Sequence, residues 1–239
     1  MKKNTIKITI GIIGALKKEL MFLYKHIHFY KKIVIYNKEF HIGKINEIKV
    51  ILIQSGVGKV LASTTCTILL QIYKIDFIVN IGTAGSLSTQ LKPGAIILPN
   101  STCYHDINLT AFGYDLGQIK GFPKKFLVNN YLTKFIEICL LKLRICYYKG
   151  LIISGDSFVD KQSYKKRLKK CFPKAIAVDM ESTAIAQVCY QFNKPFLTIK
   201  VISDFSNNNS VLDFKKFICL ENKTFLKIIQ YLLKYLYIK

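Results

Sequence analysis

The sequence predicts an α/β fold: a single three-layer domain with a central mixed sheet flanked by helices. Three observations carry this. Apolar runs of strand length alternate with segments of helical periodicity along the chain. Several of those runs are apolar on both faces, as strands covered by helices on each side require. The 239 residues are 51% hydrophobic, enough for a sizeable core, and no Pro/Gly/Ser-rich linker, internal repeat or low-complexity tract divides them. One domain over residues 1–239 follows, with 1–6 as a short basic N-terminal extension.

The elements come in order. "IKITIGIIG" (6–14) reads as a buried strand ending in a glycine turn, and "ALKKELMFLYKHI" (15–27) as a helix carrying His26 and His28. The N-terminus imitates a secretory signal, but Lys7 interrupts the apolar run and no A-x-A pattern follows. Residues 32–56 read as a meander of short antiparallel strands. "VGKVLASTTCTILLQIY" (57–73) reads as a helix with Val60, Thr64, Ile68 and Gln71/Ile72 spaced along it. "DFIVNIGTAGSL" (76–87) is a buried strand running into a small-residue loop, and "PGAIILPNSTCYHD" (93–106) another strand. A helix (130–143), a strand (149–158) and a basic helix (163–172) follow. "AIAVDM" (175–180) is a strand feeding "ESTAIAQVCYQF" (181–192), whose Ala184, Ile185, Val188, Cys189 and Phe192 share one helix face. "PFLTIKVISDFS" (195–206) is the last strand, and 213–236 the final helical stretch. The lysine-spaced C-terminus reads as a helix packed on the core. No run approaches the length of a membrane span.

Ligands of such sheets bind beyond the carboxyl ends of the strands. Five strand ends here carry small or ionisable residues: Gly14 to Glu19, Gly82 to Gly85, Gly155–Asp156, Asp179 to Glu181 and Ser203–Asp204. Each alone has an ordinary explanation. Asp179 or Ser182 can cap a helix, Asp156 and Asp204 can sit in turns, and Glu19 can be a surface helix carboxylate. Together they point to one shared site.

The formal charge of +22 invites a nucleic-acid reading. Arg144 and Arg167 are the only arginines among 36 basic residues, however, and the lysines are scattered over the whole chain. Arginine's planar fork is the usual reader of bases and phosphates, so a solvated lysine-rich surface is the reading adopted. The seven cysteines lack any C-x-x-C pair and sit mostly among apolar neighbours, as reduced thiols of a cytoplasmic protein do. No zinc-spaced cluster, G-x-G-x-x-G or Walker loop occurs, so no metal or cofactor is expected.

The stretches "GIIGALKKEL", "SGVGKVLAS", "VNIGTAGSL", "YHDINLTAFGYDLGQIKGFP", "GLIISGDSFVD", "AIAVDMESTAIAQVC" and "VISDFS", in this order, closely resemble the 5'-methylthioadenosine/S-adenosylhomocysteine nucleosidases of the nucleoside phosphorylase superfamily. The match runs from about Lys7 to beyond Phe217. The resemblance implies a nucleoside phosphorylase-like fold. It implies hydrolysis of the N-glycosidic bond of 5'-methylthioadenosine, S-adenosylhomocysteine and 5'-deoxyadenosine, in methionine salvage and removal of S-adenosylmethionine by-products. It also implies roles for residues. Asp204 matches the acid at adenine N7 and Glu19 the general base for water, the division of labour that glycoside cleavage commonly uses. Glu181 matches the carboxylate on the ribose hydroxyls, Met180 the residue packed on the ribose, and Ser203 a group orienting the site around Asp204. Phe158 stacks on the purine in this reading, and the Val159 backbone reads its edge. Thr83, Ala84 and Gly85 line the ribose and water site. Leu16, Val57 and Phe214 match an apolar 5'-thio pocket, which Leu109 and Phe112 complete from the neighbouring subunit of a homodimer.

Five positions depart from the family's usual residues. Lys200 replaces an arginine and loses its bidentate fork. Lys120 replaces a proline at the edge of the thio pocket and reads as solvent-facing. Leu16 replaces a frequent methionine, and Thr83 a serine whose hydroxyl it keeps. Asp179 stands for a glutamate and reads as capping or supporting the site. Three rivals remain at this stage: a phosphorylase on the same fold, which needs an anion site; a lysine-rich nucleic-acid binder; and a nucleoside-binding protein without activity.

Overall fold

In the computed structural model, residues 8–45, 48–218 and 223–237 are described. Cys219 and the extension 1–6 lie outside them. The chain forms β1 (Thr9–Gly14), α1 (Lys17–His26), β2 (His28–Ile35), β3 (Lys38–Ile45), β4 (Ile48–Gln54), α2 (Lys59–Ile72), β5 (Phe77–Ser86) and β6 (Ile96–Tyr104). There follow β7 (Phe126–Leu127), α3 (Asn130–Lys142), β8 (Tyr147–Ser154), α4 (Gln162–Cys171), β9 (Ala175–Asp179), α5 (Ser182–Gln191), β10 (Phe196–Asp204), α6 (Ser210–Ile218) and α7 (Lys223–Tyr237). A short 3-10 turn spans Thr110–Phe112.

One mixed sheet holds all ten strands. The parallel row β4–β1–β5–β10 forms its centre, and the antiparallel meander β2–β3–β4 extends one side. Tyr36 and Asn37, with φ of 48° and 58°, make the tight β2–β3 turn. Two successive left-handed residues match the strands' own twist there. The other side closes on itself: β10 pairs with β6, β6 with β8, β8 with β9, and β9 returns antiparallel to β5. This closure bends the ends of β5, β9 and β10 around one point. The small residues Thr83, Ala84 and Gly85 are therefore not in a loop; they continue β5 and pair with Val201, Ile202 and Asp204 of β10.

Buried Ile, Val and Leu of β1, β4, β5 and β10 meet the helices in one large core. Helix α7 packs against α3 and α1 and buries Ile228, Ile229, Leu232 and Leu233. Among the described residues no helix is long and apolar enough to cross a membrane.

Two sequence expectations are corrected. His28 is not on a helix: α1 stops at His26 and His28 opens β2. Helix α2 exists as expected, but Ala62, Thr65, Cys66 and Leu69 are its buried face, while Val60 is 72% and Ile72 44% exposed. A helix apolar nearly all round gives no unique stripe for periodicity to find.

Candidate active site

A cavity of about 440 Å³ opens where the carboxyl ends of β1, β5, β9 and β10 converge. That is room for a nucleoside-sized ligand. Its wall is mainly apolar and bears the carboxylates Glu19, Asp179, Glu181 and Asp204. Leu16, Val57, Thr83, Gly85, Phe158, Val159, Met180, Ser203 and Phe214 line it too. Twelve of the fourteen residues singled out in the sequence thus meet in one place. Leu109 and Phe112 do not: they lie at the 3-10 turn, with Phe112 78% exposed. Lys120 is exposed as well.

Glu19 is no surface carboxylate. It is buried in the first turn of α1, and its Oε2 accepts from the amides of Ala15 (3.1 Å) and Leu16 (2.9 Å). Its Oε1 accepts from the Thr83 amide and hydroxyl, both at 2.8 Å. Capping its own helix and tying to β5 fixes the carboxylate against the cavity. Close approach needs Gly82, where a Cβ would stand 2.8 Å from Glu19 Oε1.

Glu181 lies between β9 and α5, 6% exposed, and accepts from the Gly58 amide at 2.8 Å. Gly58 holds φ of 96°, and a Cβ on it would press on Asp156 Oδ1 at 2.9 Å. Asp156 in turn takes the Lys59 amide at 2.7 Å, so it caps α2. Burial pushes the Glu181 carboxyl up to about 7, and the charge of Lys200 partly offsets the rise. Asp179 also lines the cavity, but its carboxylate is engaged by polar groups of the protein. It accepts from Ser154 Oγ (2.5 Å), the Ser182 amide (3.2 Å), the Ser182 hydroxyl and Lys200 Nζ (2.9 Å). Its expected capping of α5 holds. The Asp179, Glu181 and Glu19 carboxylates hold Lys200 above the usual lysine range, although burial opposes them. Sequence reading treated Lys200 only as a departure from a family pattern. The signal of its role is a lone lysine within the apolar run "FLTIKVISD".

Asp204 ends β10, 2% exposed. Ser203 Oγ donates to its Oδ2 (2.7 Å) and the Ser206 amide to its Oδ1 (2.8 Å). Phe158 lines the same cavity, 40% exposed and edge-on to Phe214 with ring centroids 5.9 Å apart. Phe158 is therefore not plain core. An aromatic face beside a buried carboxyl group can sandwich and proton-address a flat heterocycle. Among the described residues, none that lines the cavity is Lys, Arg or His.

Residues 9–234 match the family model of the phosphorylase superfamily. The chain is 55% identical over 224 residues to the 5'-methylthioadenosine/S-adenosylhomocysteine nucleosidase of Buchnera aphidicola subsp. Baizongia pistaciae, covering 93% of this chain and 89% of that protein. The S-adenosylhomocysteine nucleosidase of Streptococcus pyogenes, solved with 5-methylthiotubericidin, superposes with a TM-score of 0.93 at 31% identity, over 97% of this chain and 98% of that one. The futalosine hydrolase of Helicobacter pylori strain 26695 superposes with a TM-score of 0.90 at 27% identity, over 95% and 98%.

Proposed function

The chain belongs to the 5'-methylthioadenosine/S-adenosylhomocysteine nucleosidases of the phosphorylase superfamily, and we propose that it performs their hydrolysis through Glu19, Glu181 and Asp204. Water cleaves the bond between adenine and a 5'-thio-substituted ribose, releasing adenine and the free sugar. The observation that carries the residue roles is the convergence of these three buried carboxyl groups on one cavity lined by no cation. Phosphate would enter that wall without a counter-charge, so water is the nucleophile.

The purine stacks on Phe158, with Asp204 at its N7 and the Val159 backbone along its edge. Asp204 gives a proton to the base as the glycosidic bond lengthens. Glu181 accepts from the ribose hydroxyls and stabilises the positive charge that grows on the sugar. Glu19 orients water on the opposite ribose face and takes its proton as the new C–O bond forms. Thr83 keeps Glu19 in place, and Met180 packs on the ribose. The methylthio or homocysteinyl tail extends along Leu16, Val57 and Phe214.

Leu109 and Phe112 complete the tail pocket of a second copy in a homodimer. The exposure of Phe112, Val57 (45%), Val60 (72%) and Leu61 (43%) supports an apolar face available for that contact. A cytoplasmic location fits the described cysteines, all unpaired, with Cys66 and Cys189 side by side as thiols, Sγ to Sγ 3.9 Å. Methionine salvage is the process such products feed.

The test is adenine release from 5'-methylthioadenosine in phosphate-free buffer, beside Asp204→Asn and Glu19→Gln. Release by the wild type and loss in both variants is expected. Release that depends on added phosphate overturns the hydrolase reading, and binding without turnover overturns the catalytic one.

A further inference from the structure

Asp204 is followed by a strained turn. Ser206 is fully buried with φ of 51°, a conformation that costs a non-glycine residue about 1 kcal/mol or more. Its backbone is held on both sides of one peptide group. The Ser206 amide donates to Asp204 Oδ1 at 2.8 Å. The carbonyl of the same peptide, that of Phe205, accepts from Lys165 Nζ at 2.6 Å. Lys165 comes from α4, an element that contributes no residue to the cavity wall.

A cation on a carbonyl draws electron density from the peptide and makes its N–H a stronger donor, so hydrogen bonds in such a chain reinforce one another. We propose that Lys165 is a positioning residue for Asp204, acting through the Phe205–Ser206 peptide: its ammonium fixes the carbonyl, and the amide of the same peptide fixes Oδ1. This rests on reading Asp204 as the acid. With Oδ1 committed to the amide and Oδ2 to Ser203, the carboxyl plane is set before the purine arrives, and preorganisation of this kind lowers the barrier.

The contact is also electrostatic. Burial holds Lys165 below the ordinary lysine range, and the Asp204 carboxylate partly offsets this. Lys169 on α4 acts on the Lys165 charge, Glu19, Asp179 and Glu181 share the cavity with Asp204, Lys200 pairs with Asp179, and α6, packed on β10, carries Asp213, Lys215 and Lys216. Lys165 reaches Asp204 through the turn that follows it.

The experiment compares Lys165→Met, Lys165→Gln and Lys165→Arg with wild type and Asp204→Asn, measuring kcat and KM for 5'-methylthioadenosine across pH, and thermal midpoints. Lys165→Met is expected to lose kcat by about tenfold with KM nearly unchanged. Lys165→Gln keeps a donor without the charge, so it recovers only part of kcat. Lys165→Arg, with both donor and charge, recovers more. A Met variant with wild-type kcat overturns the inference, as does a lowered thermal midpoint with kinetics unchanged, which marks a brace of the fold only. An active Asp204→Asn overturns the reading of Asp204 itself. An inactive Asp204→Asn beside an unaffected Lys165 series overturns the role of Lys165 alone.

Discussion

Lys200 Nζ lies 2.9 Å from Asp179 Oδ2, with both side chains 2% exposed, directly behind the carboxylates of the cavity. Four buried acids on one wall repel one another, and this ammonium offsets the charge of three of them, Asp179, Glu181 and Glu19. Lys200→Met should destabilise the protein by about 3–5 kcal/mol, because it strands Asp179 as an uncompensated buried charge. Urea unfolding reads the loss. The double variant Asp179→Asn/Lys200→Met removes both charges and should recover most of it. A single variant as stable as wild type would show that the pair holds nothing together.

Glu181 makes nucleoside affinity depend on pH. Its carboxyl is pushed up from an ordinary 4.5 to about 7, chiefly by burial. Below about 7 the free protein carries it protonated, and the ribose hydroxyl pair loses an acceptor. KM for 5'-methylthioadenosine should therefore rise as pH falls through that value, by up to about tenfold per pH unit. An analogue lacking the 2'- and 3'-hydroxyls should show no such limb, nor should Glu181→Gln. Stability runs the other way. A carboxyl raised on folding contributes stability that is present below the unfolded value and lost as pH rises through the folded one. The apo protein should thus lose thermal stability from about 4.5 to about 7.

The sequence made most of this site legible because the chemistry sits at strand ends. Small residues and acids stand out there against apolar runs, as Thr83–Gly85 and Asp179–Glu181 do. What it concealed has a physical cause in each case. The closure of the sheet through β9 and β5 is a long-range pairing with no local signature. The amide of Gly58 is a backbone group, invisible among other glycines until Glu181 is seen 2.8 Å away. Lys165 sits in a run of lysines, several of them solvent-facing, so composition did not mark it as one that turns inward onto a backbone carbonyl. The buried face of α2 was misplaced because its apolar residues surround the helix.

Thr83 gives Glu19 Oε1 two donors, amide and hydroxyl, each at 2.8 Å. Thr83→Val keeps the shape and the amide and removes the hydroxyl. One hydrogen bond to a charged group contributes about 1.5–3 kcal/mol, so kcat should fall by about tenfold or more while KM changes little. Thr83→Ser, which restores the hydroxyl, should return close to wild type. Steady-state kinetics on the three proteins decides it, and a fully active valine variant would mean that the amide alone holds the base.

Gly85 is where the backbone of β5 passes closest to the acid. A Cβ there would meet Ser206 Oγ at 2.2 Å and Asp204 Oδ1 at 3.2 Å. Ser206 Oγ is buried with no hydrogen-bond partner among the described residues, and a Cβ at 2.2 Å forces it, or the turn that donates to Asp204, to move. Gly85→Ala should therefore displace the acid rather than merely crowd the pocket. A shift of this size costs about 10²-fold in rate when it reaches a reacting group. The expected result is a collapse of kcat. Gly85→Ala/Ser206→Gly relieves the clash and gives the turn a residue at ease with its φ of 51°. It should recover at least part of the activity. A lone alanine variant with wild-type kcat, or a double variant no better than the single, would place the fault elsewhere than at the contact between Gly85 and the Asp204 turn.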